Sequence, residues 1–386
     1  MTQQPRVSKR SGVDAFLVMD MLRRANELES DGEEIIHMAA GQPGTGAPQS
    51  VIEAAKSALD SERLGYTESL GLPVLRQRIA TYYQEKYGVS ISPERVVVST
   101  GSSGSFILAF LAAFEAGDKV ALPTPGYPAY RNILNALGVA TPILETNAAN
   151  RWVPDVNDID RLHDERSIQG LLLASPNNPT GTMIRPDALK AVAEKSRQLG
   201  LWFISDEIYH GLNYEMEAAT ALQFSDDAII INSFSKYFCM TGWRIGWMVV
   251  PERLVRPLEK LAQSLFISAP TLSQIAAVAA FDATEELEQR KAVYATNRDI
   301  LRQQLPLIGL DEFLPVDGAF YLYADVRKFT NDSYGFAQKM LKEIGVSVTP
   351  GADFDHARGA QYIRLSFAGS TSSIEQAIKR LGIWLK

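Results

Sequence analysis

Ser233-Phe234-Ser235-Lys236, followed eight residues later by Arg244 within Gly242-Trp243-Arg244-Ile245-Gly246, sets an amine among two hydroxyls and a guanidinium. An amine in that company can form a Schiff base with an aldehyde. The hydroxyls and the guanidinium can hold a phosphate beside it, the guanidinium by bidentate, charge-assisted pairing. The plainer alternative is a lysine on a surface turn, and the other groups along the chain weigh against it.

Asp206-Glu207-Ile208-Tyr209 precedes Lys236 by 30 residues, a β-α-β interval that would bring Asp206 and Lys236 to one sheet edge. An isolated carboxylate there could equally cap a helix. Thr100-Gly101-Ser102-Ser103-Gly104 joins a strand to a helix. Amides at a helix N-terminus beside the Ser102 and Ser103 hydroxyls form an anion site; simple capping by Ser103 is the alternative. Arg364 stands in an otherwise apolar stretch, Tyr362-Ile363-Arg364-Leu365-Ser366-Phe367. A guanidinium there is costly unless paired. A substrate carboxylate would pair with it, as would an internal acid. Cys239 reads as a buried packing thiol, and His37, His163, His210 and His356 have no metal-ligand spacing.

The elements that must position these groups alternate. Apolar runs at Val96–Thr100, Lys119–Pro123, Ala140–Glu145, Gly170–Ser175, Trp202–Asp206, Ala228–Asn232 and Ile245–Val250 read as strands buried on both faces. Helical patterns separate most of them, with Pro186 opening one helix that Gly200 closes, and Ser103 starting another. This predicts a three-layer α/β/α domain around a mainly parallel seven-stranded sheet. The link from Ser233 to Arg244 is barely long enough for a crossover, so the last strand should run antiparallel. Beyond it, a charged helix (Glu285–Gln304) leads to strands near Gly318–Val326, Val346–Pro350 and Tyr362–Ala368. Helices near Ser333–Ile344 and Ser372–Trp384 complete a smaller α+β domain. The expected division is residues 1–45 as an N-terminal arm and helix joined to the small domain, 46–284 as the large domain and 285–386 as the small one. The helix near Asp14–Ser30 should pack with the small domain or across the site's mouth.

Composition narrows the class. A net charge of -7, with no long basic stretch to offset it, argues against a nucleic-acid partner. A single cysteine excludes intrachain disulfides and fits a reducing cytoplasm. No apolar run reaches membrane-spanning length, and no signal-peptide core follows the polar start.

In order and spacing, these motifs resemble the class I/II aminotransferases, the pyridoxal-phosphate enzymes of fold type I, over nearly the whole chain. The resemblance implies Lys236 as the Schiff-base lysine and proton shuttle, with Asp206 on the pyridine nitrogen. Asn178, in Ser175-Pro176-Asn177-Asn178-Pro179-Thr180-Gly181, and Tyr209 would donate to the phenolic oxygen. Tyr127, in Pro125-Gly126-Tyr127-Pro128-Ala129-Tyr130, would stack on the ring. Ser102, Ser103, Ser233, Ser235 and Arg244 would form the phosphate cup, joined by Tyr66 from the second subunit of a homodimer. Arg364, Asn178 and Gly41 would meet the substrate carboxylate. The implied reaction is ping-pong transfer of an amino group from an L-amino acid to a 2-oxo acid. A carbon–sulfur β-lyase or a decarboxylase on the same fold is the alternative. Gln263–Pro270, where a dicarboxylate-specific member would often carry an arginine, has none. Leu265, Phe266, Phe16 and Leu17 point instead to neutral or aromatic substrates.

Overall fold

A computed structural model describes residues 5–386. The chain opens with α1 (Leu17–Ser30), β1 (Ile36–His37), α2 (Gln49–Ser61), α3 (Pro73–Tyr87) and β2 (Val96–Ser99). It continues through α4 (Ser102–Ala113), β3 (Val120–Thr124), α5 (Pro128–Leu137), β4 (Ile143–Glu145), α6 (Val156–Arg166) and β5 (Gly170–Ala174). Next come α7 (Pro186–Gln198), β6 (Trp202–Asp206), β7 (Ile229–Ser233), β8 (Gly246–Val249), α8 (Glu252–Leu265), α9 (Thr271–Ala280) and α10 (Thr284–Gln304). The last part holds β9 (Tyr321–Asp325), α11 (Ser333–Ile344), β10 (Val346–Ser347), β11 (Thr349–Pro350), β12 (Tyr362–Ser366) and α12 (Thr371–Trp384).

Seven strands form one sheet in the order β2-β8-β7-β6-β5-β3-β4. All neighbours pair in parallel except β8, which is antiparallel to both β2 and β7. The short link before β8 thus has the predicted consequence. Alternation along the strands explains their continuous apolarity. Ile229 and Ile231 belong to the apolar layer on one face of the sheet, and Ile230 to the layer on the other.

β11, β12 and β9 form a separate antiparallel sheet, and α1 packs against α11 and β11. The expected single strand at Val346–Pro350 is divided. Val346 and Ser347 pair in parallel with β1, whereas Thr349 and Pro350 pair with β12. Two-residue pairings have no periodicity to read, and Val348 is the point at which the chain changes sheets. Among the described residues no helix is long and apolar enough to cross a membrane.

The turn that carries Lys236 is held from behind by Phe234. This ring is fully buried and lies 4.8 Å from Trp247, 5.1 Å from Phe238 and 5.4 Å from Phe281 between centroids. Phe234→Ala should therefore lower stability by about 3–5 kcal/mol through the cavity it leaves. Equilibrium urea unfolding should show an earlier midpoint at an unchanged slope.

Candidate active site

The anion end is built where α4 begins. Gly101 has φ +78°, and a Cβ there would collide with the Arg244 guanidinium, so the glycine lets the arginine close on the helix N-terminus. Arg244 itself takes a left-handed backbone (φ 51°) and donates from Nη1 to the Thr241 carbonyl at 3.0 Å. Ser235 N donates to Ser233 Oγ at 3.0 Å, and Ser233 Oγ donates to Ser235 Oγ at 2.9 Å. The buried Ser233 hydroxyl is thus taken up in bracing Ser235. Ser102 is half-buried and Ser103 exposed in the first turn of α4, where the backbone amides have no intrahelical partner.

Lys236 Nζ donates to the Gly41 carbonyl at 2.6 Å and lies 5.6 Å over the Tyr209 ring. Its pKa is lowered to about 8, first by loss of water and then by the charges of Arg364 and Arg244, with Asp206 opposing. Asp206, at the carboxyl end of β6, accepts from the Ile208 amide at 3.1 Å and from the Tyr130 hydroxyl. Burial raises its pKa to about 6 against those two donors and the Lys236 charge. Tyr209 and Tyr321 share a 2.8 Å hydrogen bond, and burial pushes the Tyr209 phenol well above its ordinary range.

Arg364, on β12, is 3% exposed and makes no ion pair among the described residues. Its Nη1 donates to Asn178 Oδ1 at 2.8 Å, and its Nη2 to the Ala39 carbonyl at 2.6 Å and Thr349 Oγ1 at 3.0 Å. Nε has no partner among the described residues. The guanidinium lies 4.2 Å from the Tyr321 ring centroid and 4.9 Å from that of Phe354. Among the described residues the internal salt bridge weighed from the sequence is not formed; only neutral acceptors and ring faces meet this charge there. A Cβ on Gly41 would stand 2.7 Å from Tyr321 Oη, so this glycine lets the backbone that accepts Lys236 pass close to the Tyr321 hydroxyl.

Tyr127 stands at the N-terminal boundary of α5, with its ring 5.4 Å from Tyr130 and 6.0 Å from Phe16 of the N-terminal segment. Burial raises its pKa to about 12. Tyr66 is the outlier. It is 82% exposed, on an open groove lined by Arg63, Leu72, Ser268 and Pro270, and touches none of the groups above.

Three functional neighbours escaped sequence reasoning. Tyr130 lies at the end of Pro125-Gly126-Tyr127-Pro128-Ala129-Tyr130, but its bond to Asp206 depends on how β3 and β6 stand across β5. Tyr321 and Thr349 flank Arg364 through the pairing of β9, β12 and β11, which no local signal encodes. His210, beside Tyr209, has a structural role. Its Nδ1 meets the Tyr87 hydroxyl at 2.8 Å, and burial lowers its pKa to about 3.

The residues present fit pyridoxal phosphate. A desolvated amine, a buried carboxylate lacking a cationic partner, an anion cup at a helix N-terminus and phenol donors stand at the same sheet edge. Residues 33–381 match the family described as aminotransferase class I and II. The chain is 46% identical to a valine–pyruvate aminotransferase of Mycobacterium tuberculosis, with 98% of each chain covered. It is 33% identical to a (5-formylfuran-3-yl)methyl phosphate transaminase of Methanocaldococcus jannaschii, over 95% of this chain and 96% of that one. Among solved structures it is similar to an aminotransferase from Mycobacterium tuberculosis (TM-score 0.97, 46% identity, 99% of each chain). It also resembles the aspartate aminotransferase of Thermus thermophilus (TM-score 0.93, 29% identity, 98% of this chain and 100% of that one). These relatives are all transaminases, which does not favour the β-lyase or decarboxylase alternative. The chain belongs to the class I and II aminotransferases and is a pyridoxal-phosphate-dependent transferase.

Proposed function

We propose that this enzyme moves the amino group of an apolar, branched or aromatic L-amino acid to a small 2-oxo acid such as pyruvate. It does so by a ping-pong mechanism, as a homodimer of the cytoplasm. The observation that carries the reading is Arg364, a buried guanidinium that among the described residues bonds only to neutral acceptors and leaves Nε without a partner. A substrate carboxylate supplies the missing charge and becomes fixed by it. Pyridoxal phosphate, when bound, supplies an electron sink that acidifies the substrate α-hydrogen. The remaining work belongs to the chain. Ser102, Ser103, Ser235 and Arg244 would hold the phosphate, with Ser233 bracing Ser235. Asp206 would meet the ring nitrogen, Tyr209 and Asn178 the phenolic oxygen, and Tyr127 would lie beside the ring. Lys236 would hold the cofactor covalently, and its Nζ, once freed, would accept the α-proton. A neutral amine is needed for both tasks, and desolvation favours that form.

Apolar substrates are supported by the valine–pyruvate activity named for the relative in Mycobacterium tuberculosis. The absence of arginine from Gln263–Pro270 and the placing of Phe16 against Tyr127 agree with it. The single thiol, Cys239, is in keeping with a reducing compartment. The dimer is supported by the groove around Tyr66. Leu265 and Ile267 near it, and Val74 in its wall, are each more than 45% exposed, an apolar surface that a second copy would cover. Domain limits at 45/46 and 284/285 complete the reading.

A half-reaction screen of amino acids against pyridoxal-loaded enzyme should show valine and its apolar neighbours converting fastest and dicarboxylic acids poorly. Lys236→Ala should fold and abolish turnover; wild-type turnover in that variant would refute the lysine assignment. Sedimentation at assay concentration should return twice the 42.5 kDa chain mass, and an active monomer would overturn the dimer. The amine pKa near 8 also sets a pH dependence. Protonation blocks attack on an aldehyde, so loading of the apo-protein should accelerate as pH rises and level off above 8. At pH 7 the rate should be about a tenth of the plateau, as one unit below the pKa requires. A rate flat from pH 6 to 9, followed by cofactor absorbance, would contradict it.

A further inference from the structure

One buried carboxylate near the site has no part in the chemistry above. Asp353, in the short turn after β11, is 4% exposed. Oδ1 accepts the Leu17 amide at 2.9 Å and Oδ2 the Val18 amide at 3.3 Å, across more than 330 residues of sequence. These are the first two amides of α1, which have no carbonyl partner within the helix. Phe16, at the N-cap, supplies no side-chain cap. Asp353 therefore caps α1 from another part of the chain. On the other side, Asn132 Nδ2 of α5 donates to the Asp14 carbonyl at 2.8 Å. Residues 14–18 thus form a strap tied at one end to α5 and at the other to the turn after β11. Between the ties Phe16 sets its ring against Tyr127.

We infer that Asp353 is a specificity-determining residue, fastening this strap over the substrate side-chain pocket and setting its own carboxylate against acidic side chains. The inference rests on the proposed reading of Arg364 and Tyr127 as substrate and cofactor contacts. Three charged or titratable groups face Asp353 electrostatically. Burial raises the Asp353 carboxyl above its ordinary value; the Leu17 and Val18 amides and the charges of Arg364 and Arg131 oppose that rise, and the Asp353 charge in turn raises the Tyr127 phenol. Phe354, the next residue, lies against the Arg364 guanidinium. A substrate held by Arg364 would thus extend its side chain into space bounded by Phe16 and a carboxylate. An apolar side chain meets the ring, whereas an acidic one meets a like charge in a poorly solvated place. The substrate class this predicts is amino acids with uncharged, branched or aromatic side chains.

Two variants and two readouts test it. In Asp353→Ala, hydrogen exchange at the Leu17 and Val18 amides should quicken at least about tenfold, since charged caps contribute on that scale. Amides of β6 and β7 should keep their protection. Asp353→Asn retains one acceptor, so the Leu17 amide should stay protected while the Val18 amide quickens. In both variants the ratio of kcat/KM for valine to that for glutamate should fall by about tenfold, the effect of removing one nearby charge. In Asp353→Ala the KM for valine should rise more than kcat falls, because the strap binds and does no chemistry. Unchanged exchange at Leu17 in Asp353→Ala would overturn the latch. An unchanged valine-to-glutamate ratio in Asp353→Asn would overturn the charge filter. The exchange readout needs no substrate, so it stands apart from the proposed function; failure of the wild-type enzyme to transaminate any amino acid would count against that function and leave the latch as measured.

Discussion

Taking water away from Lys236 is the step on which the rest of the site depends. An amine in solution is almost wholly protonated at neutral pH and can neither attack an aldehyde nor accept a proton. Here it sits at the carboxyl edge of a sheet buried on both faces, close to two guanidinium groups, and its pKa drops towards 8. The same desolvation threatens Asp206, whose pKa rises to about 6. The Tyr130 hydroxyl and the Ile208 amide resist that rise and keep the carboxylate ionised at neutral pH. One physical effect, applied to a base and an acid side by side, is useful for the first and has to be compensated for the second.

Arg364 answers the same constraint in a different way. A permanent charge cannot shed its proton, so burial has to be met with dipoles and ring faces. The Ala39 carbonyl, Thr349 hydroxyl and Asn178 amide oxygen supply the dipoles, and Tyr321 and Phe354 the faces. An acid in that position would have neutralised the arginine and left nothing for a substrate carboxylate. A neighbouring carboxylate, Asp353, is occupied by the amides at the start of α1.

The sequence by itself determined the sheet, its antiparallel last strand and the placing of Lys236 at the sheet's edge. Strand runs apolar on both faces and turn residues are local features, and local features survive in a linear text; the helix expected between Asp206 and Lys236 is not formed, the link holding only a short 3-10 turn at Ala221–Gln223. Arg364 stood out because a polar group inside an apolar stretch is costly and calls for a reason, and Lys236, Arg244 and Asp206 by their types and spacing; the roles expected of Tyr209 and Asn178 came from the resemblance to the aminotransferases. Tertiary structure alone decided what each of them touches. Tyr130 reaches Asp206 because β5 spaces β3 from β6, and Tyr321 reaches Tyr209 because two separate sheets meet at the site. The division of Val346–Pro350 between two sheets and the capping of α1 by Asp353 are likewise contacts between segments distant in sequence. Hydrogen bonds of that kind are set by how the layers close over one another. A chain encodes this closure only through its whole pattern of burial, and no single residue or spacing records it.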